Sequence, residues 1–98
     1  MFVHSVYFWL KPELTTEQRA EFAYDIQTLR DIETVLVCAI GTPVPNDRPV
    51  IDSSYDYGLI LLFANQEDEE AYLVHPLHRA FADKWRVNFT AKIYDCEE

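Results

Sequence analysis

Residues 2–10, FVHSVYFWL, decide how the rest of the chain is read. The run is dense in aromatic and β-branched residues and is closed by Lys11-Pro12, so it predicts a strand. Alternation places Phe2, His4, Val6 and Phe8 on one face and Val3, Ser5, Tyr7 and Trp9 on the other. Neither set is polar. A strand with two apolar faces belongs inside a sheet that is covered on both sides. Residues 55–63, YDYGLILLF, repeat the signal, with Tyr55, Tyr57, Leu59, Leu61 and Phe63 facing one way and Asp56, Gly58, Ile60 and Leu62 the other.

Outward from these two strands the punctuation is regular. Thr15 with Gln18 three residues on forms a capping box, and Phe22, Ile26 and Leu29 follow at helical spacing, which predicts a helix over about 16–31. Val35 to Ile40 reads as a second strand, closed by Gly41, and the stretch from Gly41 to Ser54 is a long loop holding three of the five prolines. Asn65 is the N-cap of a second helix whose start, Glu67-Asp68-Glu69-Glu70, reads as a solvated acidic turn at the positive end of the helix dipole. Pro76 breaks that helix at His75, and a further turn or two carries Phe81 and Trp85. Ala91 to Cys96 is the last strand. The order β-α-β-β-α-β is the ferredoxin-like split βαβ of the α+β class, a four-stranded antiparallel sheet with its helices on one face, and residues 1–98 form a single domain.

Helices on one face leave the other apolar face bare. A chain of 98 residues buries only about 60 to 65% of its unfolded surface, so extra burial has value. The economical cover is the same face of a second copy, and the expected assembly is a homodimer in which two sheets close a shared α/β barrel. The net charge of −9 repels phosphate backbones and anionic lipid, so neither nucleic acid nor a membrane surface is an expected partner. The first ten residues carry no basic segment and meet Lys11-Pro12 too early for a signal peptide or a membrane span. Two cysteines, Cys38 and Cys96, make no disulfide framework and fit a reducing cytoplasm.

Chemistry concentrates in residues 71–81, AYLVHPLHRAF, and at His4. Tyr72 and His75 stand three apart on one helix face, and the bend at Pro76 turns His78 toward the same space between helix and sheet. A neutral imidazole accepts a proton near neutral pH, and a phenol donates a hydrogen bond to an oxygen that gains charge as carbon loses its proton. The same residues also serve structure: His4 as a core histidine with a partner, His75 as a backbone anchor at the helix break. Spacing gives little to metals, because HPLH is not an i,i+4 pair and no carboxylate stands at a supporting interval. With only Gly41 and Gly58, no Gly-rich phosphate loop is available, so no metal and no cofactor is expected.

The early strand FVHSVYFWLKP, the tyrosine-bearing YDYGLILLF, AYLVHPLHRAF and the terminal IYD together resemble the stress-responsive A/B barrel (Dabb) family over nearly the whole chain. The resemblance implies a ferredoxin-like protomer and a dimeric α+β barrel. Within the family the chain is similar to the olivetolic acid cyclase-type polyketide cyclases, which carry out an intramolecular aldol condensation without metal or cofactor. That likeness implies His78 as catalytic base and Tyr72 as its partner, with His4, His75 and Tyr57 in substrate binding. Tyr57 stands where the cyclase has histidine, and Cys96 where a tyrosine usually follows the aspartate. The implied function is binding of a small apolar or aromatic carbonyl compound with cofactor-free proton transfer or aldol-type cyclisation. The alternatives are a non-catalytic stress or assembly protein and a cofactor-free monooxygenase of the related dimeric barrels.

Overall fold

In the computed structural model all 98 residues are described, and the elements run β1 (Phe2–Leu10), α1 (Thr16–Ile26), β2 (Val37–Gly41), β3 (Tyr57–Phe63), α2 (Gln66–Val74), α3 (Pro76–Trp85) and β4 (Phe89–Glu97). The four strands form one antiparallel sheet in the order β2-β3-β1-β4. β1 and β3, the two strands apolar on both faces, hold the centre, as burial from both sides requires. The fold is the ferredoxin-like α+β arrangement that the element order predicts.

Local chemistry sets the helix ends. The Thr15 hydroxyl accepts from the Gln18 amide at 3.1 Å while the Gln18 side chain accepts from the Thr15 amide at 2.8 Å, so both halves of the capping box are made. α1 stops at Ile26 rather than near Asp31, and residues Gln27–Asp31 tighten into a 3₁₀ turn. There the Thr28 hydroxyl donates to the Asp25 carbonyl at 2.7 Å, a bond that competes with the helical ladder. Asn65 caps α2 through the Asp68 amide. His75 leaves helical geometry (ψ 140°), and Pro76 then opens a ten-residue α3, longer than the one or two turns expected.

Strand limits shift for similar reasons. Val35 gives its amide to Ile32 and so closes a turn, which delays β2 to Val37. Tyr55 stays outside β3, its ring set against Tyr7 at 4.9 Å. β4 pairs with β1 along its full length, from Phe2 opposite Glu97 to Leu10 opposite Phe89, and so outruns the expected 91–96.

The core lies wholly between the helices and one face of the sheet. Phe2, Val6, Phe8 and Leu10 of β1 are buried there with Leu59, Leu61 and Phe63 of β3, under Phe22, Ile26, Tyr72, Phe81 and Trp85. Phe22 is fully enclosed and meets the rings of Phe8, Tyr57, Phe81, Trp85 and Phe89 at centroid distances of 5.3 to 6.3 Å. The other face has no such cover. Val3, Tyr7, Trp9, Ile60 and Leu62 are only half-buried on it, Val37 is exposed, and the protomer is a slab 17 Å thin.

Candidate functional site

A cavity of about 170 Å³ lies between the sheet and α2 and α3. Its walls are apolar: Val6, Phe8, Leu59, Phe81, Phe89 and Ile93 contribute most of them, and no lysine or arginine lines it. Polar groups gather at one end, where β1 supplies His4, α2 supplies Tyr72 and the first turn of α3 supplies His78. The Tyr72 ring stands between the two imidazoles in contact order, 4.7 Å from His78 and 5.9 Å from His4 by ring centroids.

Pro76 produces this convergence. By ending α2 and starting α3 it redirects the chain so that His78 Nδ1 reaches back to the Leu73 carbonyl at 2.9 Å. A carbonyl only accepts, so Nδ1 carries the proton and Nε2 keeps the lone pair. Burial lowers the proton affinity of His78 below the ordinary histidine value, partly offset by that hydrogen bond, and the ring is neutral. Tyr72 is 1% exposed, and burial, reinforced by Cys38 and Glu69, pushes its phenol well above the ordinary tyrosine range. Its hydroxyl therefore stays protonated, a donor beside a base.

His4 is held differently. Its Nδ1 is 2.6 Å from Asp95 Oδ1, across the β1–β4 ladder where the two residues are register partners, and 3.9 Å from Glu69 Oε2. Neither carboxylate was legible as a site residue. Glu69 corrects the reading of residues 67–70 as a solvated turn: it is 5% exposed and faces the strand. Burial raises its carboxyl above the ordinary glutamate value, opposed by His4 and assisted by Asp95 and Glu70. The signal for it was the spacing, since Glu69 and Tyr72 are three apart on one helical face.

Two residues expected at the ligand stand elsewhere. His75 caps α3, its Nδ1 accepting from the Leu77 amide at 3.1 Å and its Nε2 lying 3.2 Å from Glu33, outside the cavity lining. The N-cap position fixes its ring against the helix start. Tyr57 shares the covered face but packs on Phe22 at 5.3 Å, beyond the cavity wall. Of the five residues, Tyr72, His78 and His4 come together. A second hollow, about 230 Å³, opens on the uncovered face among Tyr7, Trp9, Tyr55 and Tyr94, with Lys92 and Asp52 at its rim, away from these groups.

Comparison with known proteins agrees with this architecture. A Dabb protein from Mesorhizobium loti superimposes with a TM-score of 0.81 at 27% identity, covering 99% of this chain and 95% of its own. A dimeric ferredoxin-like protein of unknown function from Thermobifida fusca gives 0.79 at 18% identity, over 99% and 90% of the two chains. The hydroxynitrile lyase of Passiflora edulis gives 0.76 at 18% identity, over 99% and 94%. No protein of curated function matches the sequence. The model of the stress responsive A/B barrel domain matches residues 2–96, nearly the full length that the sheet and helices occupy, and the chain belongs to the Dabb family.

Proposed function

We propose that this chain is a homodimer that binds a small, uncharged apolar or aromatic carbonyl compound in the cavity and removes the proton from the carbon beside the carbonyl without a cofactor. His78 Nε2 is the base, and the Tyr72 hydroxyl holds the oxygen as charge develops on it. The observation that carries this reading is a neutral imidazole and a protonated phenol, 4.7 Å apart by centroids, at the polar end of an otherwise apolar cavity. With no lysine or arginine in the lining, a carboxylate or phosphate ester would enter without a permanently charged partner, which favours a neutral ligand. In a longer substrate with a second carbonyl, the enolate formed here closes a ring by aldol addition.

The dimer reading draws on the bare apolar face and on the dimeric assembly of the Thermobifida fusca relative. Sedimentation at micromolar concentration tests it. The two free cysteines fit a cytoplasmic setting. The chemical reading is tested with 1-phenylpropan-2-one in D2O, following loss of the benzylic proton signal by NMR. Catalysed exchange that falls about 10² to 10⁴-fold in His78→Ala supports it. A folded wild-type protein that neither accelerates exchange nor is thermally protected by such ketones is the non-catalytic assembly protein instead.

A further inference from the structure

The chemistry of His4 is not used up by the base and the phenol. Its ring lines the same cavity, packs on the same tyrosine, and has one nitrogen engaged by Asp95 while Nε2 has no protein partner. Two carboxylates attend it, at 2.6 and 3.9 Å from Nδ1, whereas His78 is attended by a backbone carbonyl alone. Burying Glu69 beside the ring is costly unless positive charge compensates it, and the cavity lining offers only the imidazoles. The two histidines of one cavity thus have opposite surroundings, apolar around His78 and anionic around His4. Groups separated in this way divide the roles of base and acid.

We propose that His4 is the proton donor of this cavity, with Asp95 and Glu69 as its positioning residues, so that the site carries out a 1,3-proton shift on a small uncharged β,γ-unsaturated ketone or aldehyde. The inference rests on the reading of His78 as base. His78 Nε2 takes the α-proton, the C–H electron pair becomes a double bond between the α-carbon and the carbonyl carbon, and the C=O π pair moves onto the oxygen of the resulting dienolate, which Tyr72 holds. His4 Nε2–H then gives its proton to the γ-carbon. The old β,γ double bond supplies that C–H pair, the enolate double bond shifts to become the α,β double bond, the oxygen charge returns as C=O, and the product is the conjugated isomer with no atom gained or lost. His78 is left protonated and His4 neutral. Exchange with water resets both, and Asp95, whose side chain is 42% exposed, connects His4 to solvent.

The test uses cyclohex-3-en-1-one in D2O, with α-deuteration followed by NMR and conjugation by ultraviolet absorbance. Wild type should deuterate the α-carbon and form cyclohex-2-en-1-one. In His4→Gln and Asp95→Asn conjugation should fall about 10²-fold further than α-deuteration does, and His78→Asn should lose both. Because His4 is buried, ¹⁵N-histidine spectra of wild type and Asp95→Asn provide a readout that does not need the substitution at His4. They should show His4 protonated on both nitrogens near neutral pH, His78 on Nδ1 alone, and a change confined to His4 in the variant. A His4→Gln protein that conjugates as fast as wild type, or a His4 neutral in the spectra, overturns the donor role and leaves the base reading intact. Absence of α-deuteration by wild type overturns both.

Discussion

The two faces of β1 differ more than their sequences do. Phe2, His4, Val6, Phe8 and Leu10 are buried under helices, while Val3, Ser5, Tyr7 and Trp9, hardly more polar, are half-buried with no helix over them. On the covered face apolar packing is complete enough to carry polar groups at a cost, and His4, Glu69, Tyr72 and His78 collect there. On the open face the aromatic rings form a surface, with Tyr55 laid on Tyr7 and the Trp9 indole donating to Ser54 at 3.0 Å. One face is a finished core that contains titratable groups; the other is an aromatic surface without a helical cover.

The largest effect tests the finished core. Phe22→Ala removes a ring that touches five others and should cost about 3–5 kcal/mol by chemical denaturation. A loss below about 1 kcal/mol would mean that the covered face is loosely filled. The matching substitution on the open face is Leu62→Lys, at a half-buried position in the central strand β3. It should leave the protomer folded and weaken self-association by at least about a hundredfold, equivalent to about 3 kcal/mol, in sedimentation equilibrium. Unfolding without a change in association would reverse the assignment of the two faces.

A smaller effect probes the roof of the cavity. His75→Ala removes the acceptor for the Leu77 amide at the start of α3 and should cost about 1 kcal/mol. Because His75 lies outside the cavity lining, ketone binding measured by thermal shift should survive. Loss of binding with unchanged stability would return His75 to the ligand.

These residues also mark how far the chain could be read before it was folded. Alternation in β1 and β3, the Thr15 and Asn65 caps and the break at Pro76 are local signals, and each stands where the pattern placed it within a few residues. The convergence of Tyr72 and His78 was legible because eleven consecutive residues carry it. The His4–Asp95 pair was not, since it depends on the register of two strands 91 residues apart. Glu69 was hidden by its neighbours: inside an acidic run one carboxylate turned inward looks like three turned outward. The 3₁₀ turn after Ile26 escaped because Leu29 keeps the apolar spacing of a continuous helix.

Glu69 gives the finest test of the contrast between faces, because it is the covered face's one buried carboxylate. Its folded-state proton affinity is raised, chiefly by burial, so between the ordinary glutamate range and the folded value the native chain binds more protons than the unfolded one. Stability from this group is therefore full in acid and is lost as pH rises through that interval. Glu69→Gln cannot ionise and escapes the loss. In denaturation series at several pH values the variant should match wild type in acid and gain on it steadily toward neutral pH, by an amount smaller than the other effects. The reverse order, with wild type gaining as pH rises, would mean that attraction to a charged His4 outweighs the cost of burial. The covered face would then be organised around an ion pair, and packing alone would no longer account for the difference between the two sides of the sheet.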